Sequence, residues 1–336
     1  MLSKFKFVGL FLLPFVAQSA LGTDTLFIGP SHLRVSEEGE FSRVENKPAP
    51  QPFDNLWAYR LYPEASQKKL TGRGVIVAIA DSGISPHVEF NGKNIQAQDF
   101  TQSASAAAVK NHGMGVAGVI GARGVKFTGI APNAQLFIYK IDDGSRLIGP
   151  QAATAAINTL LDYNEKHPDQ KIAVLNLSYG VHNGGNVPLT NAINRAHDSG
   201  VFIVCPSGNF GYPGVHYPAN LSTTIAVGAL AADGKSVYVN STYGKEIDFI
   251  APGEKVYTAD NDGTYTLMSG TSVAAGFVSA AAALAVEGLK KKLGRYPTVD
   301  EIKQSLVAAS VQLPGVPREK QGNGFIDVKK LEAQFN

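Results

Sequence analysis

The sequence predicts an α/β protein: a doubly wound, mostly parallel sheet with helices on both faces. Three observations predict it. Runs of Val, Ile and other apolar residues are short and unbroken rather than alternating, and helical patterns separate them. The chain of 336 residues, 44% of them hydrophobic, can also bury a large core. Strands that are apolar on both faces need cover on both sides, and crossover helices supply it.

The elements follow in order from Phe53, where the dense region begins. Residues 75–80 form the first buried strand, entered through Thr71-Gly-Arg-Gly74, and residues 134–141 form the next. A helix over residues 152–166 puts Ile157, Leu160 and Leu161 on one face. Lys166 and His167 suit its negative end, and Pro168 stops it. A strand at 172–177, a helix at 189–199 leaving through Gly200, and strands at 201–205 and 224–227 continue the alternation. In such sheets ligands sit beyond the carboxyl ends of the strands, so polar residues just after these runs are the first candidates.

The ends and the composition narrow the function. Lys4 and Lys6 precede an apolar run over residues 7–17, and small residues Ser19, Ala20 and Gly22 follow. That order describes an export signal over residues 1–22. A transmembrane anchor wants roughly 20 apolar residues, about twice this run. Residues 23–54 read as a polar lead-in or short pro-segment ending in Lys47-Pro-Ala-Pro-Gln-Pro52, and residues 55–336 as one domain. Removing the first 22 residues would leave 28 basic against 28 acidic side chains, no electrostatic footprint for nucleic acid. A single Cys, Cys205, excludes an intramolecular disulfide framework and a cysteine-built zinc site. It reads as a small buried hydrophobe.

Four strings could carry chemistry. Asp81 directly follows the first strand, where a carboxylate can orient an imidazole; a turn Asp before Ser-Gly is the plainer alternative. His112 opens Asn111-His-Gly-Met-Gly-Val-Ala-Gly118, whose small residues permit close helix packing. Ser207-Gly-Asn-Phe-Gly211 follows a strand and could offer the Asn209 amide to a developing oxyanion. Ser269-Gly-Thr-Ser-Val-Ala-Ala-Gly276 opens a long run of small residues. There Thr271 or Ser272 would cap a helix from Val273, with Ser272 at its positive end. Gly113, Gly115 and Gly118 also match a dinucleotide-binding fingerprint, with Asp142 at the expected remove. The stretch before them is not a buried strand, so that reading fails on context.

Together the strings resemble the subtilisin-like serine proteases. Asp81, His112 and Ser272 occur in that family's order. The matching strings are Ala78-Ile-Ala-Asp-Ser-Gly-Ile84, His112-Gly-Met-Gly-Val-Ala-Gly118, Leu175-Asn-Leu-Ser-Tyr-Gly180, Pro206-Ser-Gly-Asn209 and Ser269-Gly-Thr-Ser-Val-Ala-Ala275. The resemblance implies Ser272 as nucleophile, His112 as general base and acid, and Asp81 as the group that orients the imidazole. Asn209 and the Ser272 N–H would form the oxyanion hole. It implies that Ser178, Tyr179 and Gly180 pair with an extended protein or peptide substrate; the signal over residues 1–22 makes the outside or the periplasm the expected place of action. The expectation is a monomer that needs no cofactor for chemistry. The competing class is a catalytically silent binding protein on the same fold, which would be expected to have lost one of these four residues. Acyl transfer to an acceptor other than water would use the same residues.

Four departures from the family stand out. The usual His-Gly-Thr-His is His112-Gly-Met-Gly115, which predicts altered packing behind His112. Gly276 replaces the usual Pro, and Val273 stands where Met is common. Gly121-Ala-Arg-Gly-Val-Lys-Phe-Thr-Gly129 lacks the Asn-rich calcium loop of many relatives, so that site is expected to be absent; Asp260-Asn-Asp262 is the other calcium candidate. His216 falls where relatives often carry Gly at the floor of the primary specificity pocket. It would narrow or polarise that pocket against large aromatic residues, unless it points to solvent.

Overall fold

All six residues of Ile76–Asp81 are buried, as an unbroken apolar run demands. In the computed structural model, residues 25–28, 56–60 and 70–335 are described, apart from 102, 104, 109, 145–148 and 183. The export signal at 1–22 lies outside them, as does the lead-in at 23–54 except for one strand.

That strand is β1 (Thr25–Ile28), followed by the helical turn α1 (Trp57–Arg60), then β2 (Ile76–Asp81), β3 (Ile95–Asp99) and α2 (Asn111–Gly121). Next come β4 (Gln135–Lys140), α3 (Gly149–Lys166), β5 (Ile172–Leu177), α4 (Val187–Asp198), β6 (Phe202–Pro206), β7 (Ile225–Leu230) and β8 (Ile247–Pro252). A hairpin of β9 (Val256–Ala259) and β10 (Tyr265–Met268) leads into the long α5 (Thr271–Leu293). The chain closes with α6 (Val299–Ala308), β11 (Ser310–Val311), α7 (Arg318–Gln321), β12 (Phe325–Ile326) and α8 (Val328–Ala333).

Seven strands run parallel in the order β3-β4-β2-β5-β6-β7-β8, and β1 joins antiparallel at the β3 edge. The doubly wound prediction therefore holds. Two of the seven parallel strands were not legible. β3 reads Ile-Gln-Ala-Gln-Asp and is only half buried, while β8 is interrupted by Asp248; neither is an unbroken apolar run.

Alternation along β2 decides the layers. Val75, Val77 and Ile79 face the core built with α2 and α5, while Ile76, Ala78 and Ala80 face the core built with α3 and α4. A period of two therefore puts Asp81, the last residue of β2, on the side of α2 and α5. α5 is buried along residues 271–288, which its small side chains allow. It is long and apolar enough to cross a membrane, yet 94% of its most apolar stretch is buried inside the protein. Gly276 lies 3.5–3.6 Å from Val116 and Val119 of α2, counted from where a Cβ would stand, so a methyl group would fit there. The buried Glu287 of α5 accepts the N–H groups of Thr71, Gly72 and Arg73 at 2.8–3.1 Å and ties the entry to β2 onto the helix.

Candidate active site

Asp81 Oδ1 accepts a hydrogen bond from His112 Nδ1 at 2.8 Å and another from the Ser82 N–H at 2.6 Å. Ser82 Oγ in turn accepts from the Gly113 N–H at 3.0 Å and donates to the Lys110 carbonyl at 3.3 Å. The start of α2 is thereby pinned to the end of β2. Gly113 is required for this approach, because a Cβ there would overlap the Gly83 carbonyl and stand 3.3 Å from Asp81 Oδ1. The carboxylate is buried and its Oδ2 has no partner among the described residues, whereas the imidazole is half-exposed. The Asp81 charge raises the His112 pKa above the usual imidazole value, against the opposing effect of burial.

Ser272 is the second residue of α5 and is buried; its Oγ forms no hydrogen bond among the described residues. The helix starts at Thr271, two residues before Val273, and neither Thr271 nor Ser272 caps it. Gly270 stands at the cap position with φ +147°, a conformation that suits glycine. The cap comes from a distant segment. Asn209 Oδ1 accepts from the Thr271 N–H at 2.8 Å and from the Thr271 hydroxyl at 3.0 Å. With its oxygen so engaged, Asn209 keeps its NH₂ as donor beside the start of α5. Asn209→Ala is expected to lower kcat on a peptide substrate roughly a hundred- to thousandfold with little change in KM. Equal kcat for variant and parent would remove Asn209 from the chemistry.

Ser178, Tyr179 and Gly180 continue β5 past its end. Ser178 donates its N–H to the Ala80 carbonyl at 3.1 Å and accepts the Asn176 side-chain amide at 2.8 Å. Asn176 in turn accepts from Ser279 of α5 at 3.0 Å. Gly180 is exposed, and Val181 beyond it pairs with Tyr217. His216 does not point to solvent; it is 7% exposed. Its ring lies flat on Gly208, where a Cβ would come within 2.7 Å of ring atoms, and its Cβ lies 3.8 Å from the corresponding position on Gly180. Phe210 and His182 pack against it at 5.0 and 5.2 Å between ring centres. Burial, with the His182 charge second, lowers the His216 pKa below the usual imidazole value.

The chain matches the model of the subtilase family over residues 72–324. It is 33% identical over 272 residues to the thermostable alkaline protease of Halalkalibacterium halodurans, covering 78% of this chain and 69% of the relative. The chain belongs to the subtilase family. A second relative, the alkaline protease of Alkalihalobacillus alcalophilus, is 31% identical over 267 residues, covering 78% of this chain but 65% of that relative's length. Among solved structures, a protease of Pseudoalteromonas arctica PAMC 21717 superposes with a TM-score of 0.71 at 22% identity, over 87% of this chain and 100% of that one. At that identity the likeness speaks for the fold alone.

Two departures of this subtilase now have physical accounts. The glycines after His112 serve packing: Gly115 sits under the Met268 sulfur, and Gly118 under Thr258 and Phe127. Met114 is fully buried, its sulfur accepting the Ser85 N–H at 3.0 Å. The 121–129 loop does not fit a hard cation. Its Gly124, Val125 and Lys126 N–H groups point inward to the buried Glu89 carboxylate at 3.1, 2.9 and 2.6 Å, and Tyr265 donates to the same group at 3.1 Å. Amide donors converging on an anion are the reverse of the oxygen cage calcium needs. At the other candidate, Asp260 and Asp262 accept the N–H groups of Asn261 and Thr264 within the β9–β10 turn. Among the described residues no group of three or more His, Cys, Asp or Glu is placed to hold a metal. Glu89 and Glu287 had no signal in the sequence, since each works through backbone amides distant in the chain.

Proposed function

We propose that this subtilase is an exported serine endopeptidase working through Asp81, His112 and Ser272. The observation that carries the reading is the 2.8 Å bond between Asp81 and His112, on the side of the sheet where α5 opens with Ser272 under the Asn209 cap. Ser272 Oγ attacks the scissile carbonyl as His112 Nε2 takes its proton. The same proton then goes to the leaving amine as the C–N bond breaks. The Asn209 amide and the Ser272 N–H, at the positive end of α5, stabilise the oxyanion in both halves of the reaction. Water repeats the cycle on the acyl-enzyme and releases the acid. Ser178, Tyr179 and Gly180 take an extended peptide by strand addition, for which the exposed Gly180 is suited. The substrate is protein or peptide, the unit that acts spans residues 55–336, and it acts as a monomer after loss of residues 1–22.

Fluorophosphonate labelling read by intact mass tests this. One adduct on the protein and none on Ser272→Ala is the expected result; no adduct on folded protein, with or without residues 1–52, would mean a silent site. His216, pressed between Gly180 and Gly208, narrows the pocket for the residue before the cut. His216→Gly is expected to raise kcat/KM for Phe at that position at least about tenfold relative to Ala. A parent enzyme that already prefers Phe strongly would sink the assignment.

A further inference from the structure

Lys93 lies between Phe90 and β3 and is 1% exposed, one of the largest fully buried side chains. Its ammonium makes a single hydrogen bond among the described residues, to the Pro132 carbonyl at 2.8 Å. The end of its side chain crosses Gly121, where a Cβ would stand 2.9 Å from Cε and 3.0 Å from Nζ. Beside it is a cavity of about 200 Å³ at the amino-terminal ends of β2 and β4, the opposite end of the sheet from Asp81. Arg123 lines the same cavity, with Asn94, Asn133, Gln135 and Gln170; the Asn133 amide also donates to the Thr71 hydroxyl at 3.0 Å. Among the described residues no carboxylate lines it. The cluster therefore gathers two basic groups and four amide-bearing residues.

Keeping an ammonium buried beside a second cation is unfavourable unless something negative pairs with it. Burial first, then the Arg123 charge, brings the Lys93 pKa down to about 7, and Arg123 is the one charged group that acts on it. Near neutral pH part of the amine population is thus uncharged and able to take a proton when an anion arrives.

We propose that this cavity binds a compact oxyanion between Lys93 Nζ and the Arg123 guanidinium, with amide-bearing residues around it. The anion stabilises the charged form of Lys93, so binding above pH 7 takes up a proton. Binding at this end of the sheet does not depend on peptidase activity, so the proposal stands or falls separately from it.

Titration calorimetry of the full chain with sulfate, which does not itself titrate near neutrality, tests this at pH 7.5 and fixed ionic strength. Runs in two buffers of different ionisation enthalpy give the proton count. The expected result is one saturable site with uptake of a substantial fraction of a proton. Lys93→Met abolishes the uptake and weakens binding at least about tenfold. Arg123→Gln, at an exposed position, weakens binding similarly and shows a smaller uptake, because loss of its charge lets the Lys93 pKa rise. Saturable binding without proton uptake, equal heats for Lys93→Met and parent, or no saturable heat up to about 50 mM sulfate would each overturn the proposal. The last would leave only the general exclusion of sulfate from protein surfaces.

Discussion

Replacing Ser272 with Ala is expected to lower kcat on an oligopeptide by on the order of a millionfold, leaving only slow turnover from the remaining site. The argument is positional. Ser272 is the second residue of a helix whose first N–H is already taken by Asn209, so the next N–H groups are free to meet a negative oxygen. Removing Oγ deletes the attacking atom but leaves the helix start, the Asn209 cap and the Asp81–His112 pair intact. Peptide should therefore bind the variant nearly as well as the parent, because the loss falls on chemistry. Kinetics on the variant, with a peptide-binding measurement by fluorescence anisotropy beside them, separate the two. A fall below tenfold would assign the nucleophile elsewhere.

Asp81→Asn is expected to cost roughly ten-thousandfold in kcat, since the amide favours the wrong imidazole tautomer. Its pH profile is the sharper readout. In the parent the Asp81 charge raises the His112 pKa, so the population of neutral imidazole, and with it kcat/KM, climbs only above the usual imidazole range. Without that charge, burial is the main remaining influence and it lowers the pKa. The acidic limb of the variant should therefore move to lower pH even as the plateau falls. The same sign governs stability: the pair stabilises the fold most below the unfolded imidazole pKa and loses that contribution as pH rises through the raised value. An acidic limb unmoved in the variant would mean that His112 is not the titrating base.

The parallel sheet was legible because its inner strands are buried on both faces and so carry unbroken Val and Ile. Edge strands obey other constraints. β3 alternates with Gln because one face is partly wet, and β1 falls in a segment whose composition reads as linker. At the site, Asp81, His112, Asn209 and Ser272 could be named because each sits at the end of a strand or the start of a helix with glycines beside it. Their supports could not. Ser82 reaches across to Gly113, and Asn209 caps a helix 62 residues away; such long-range bonds leave no periodicity behind. The glycines of the apparent nucleotide motif show the converse, a pattern produced by close packing alone.

Gly115 and Met268 give the catalytic helix a chemical vulnerability. The thioether rests in the hollow left by the missing side chain of Gly115, one turn from His112, and Met268 is only half-buried. Oxidation to the sulfoxide would add a polar oxygen where an apolar sulfur fits a tight hollow. The displaced helix end would carry the imidazole with it. Dilute peroxide should therefore inactivate the enzyme in step with a 16 Da mass gain on the peptide containing Met268, roughly one oxygen. A methionine sulfoxide reductase should restore activity, and Met268→Leu should resist the treatment. Redox tone would then help to set the working lifetime of this catalyst.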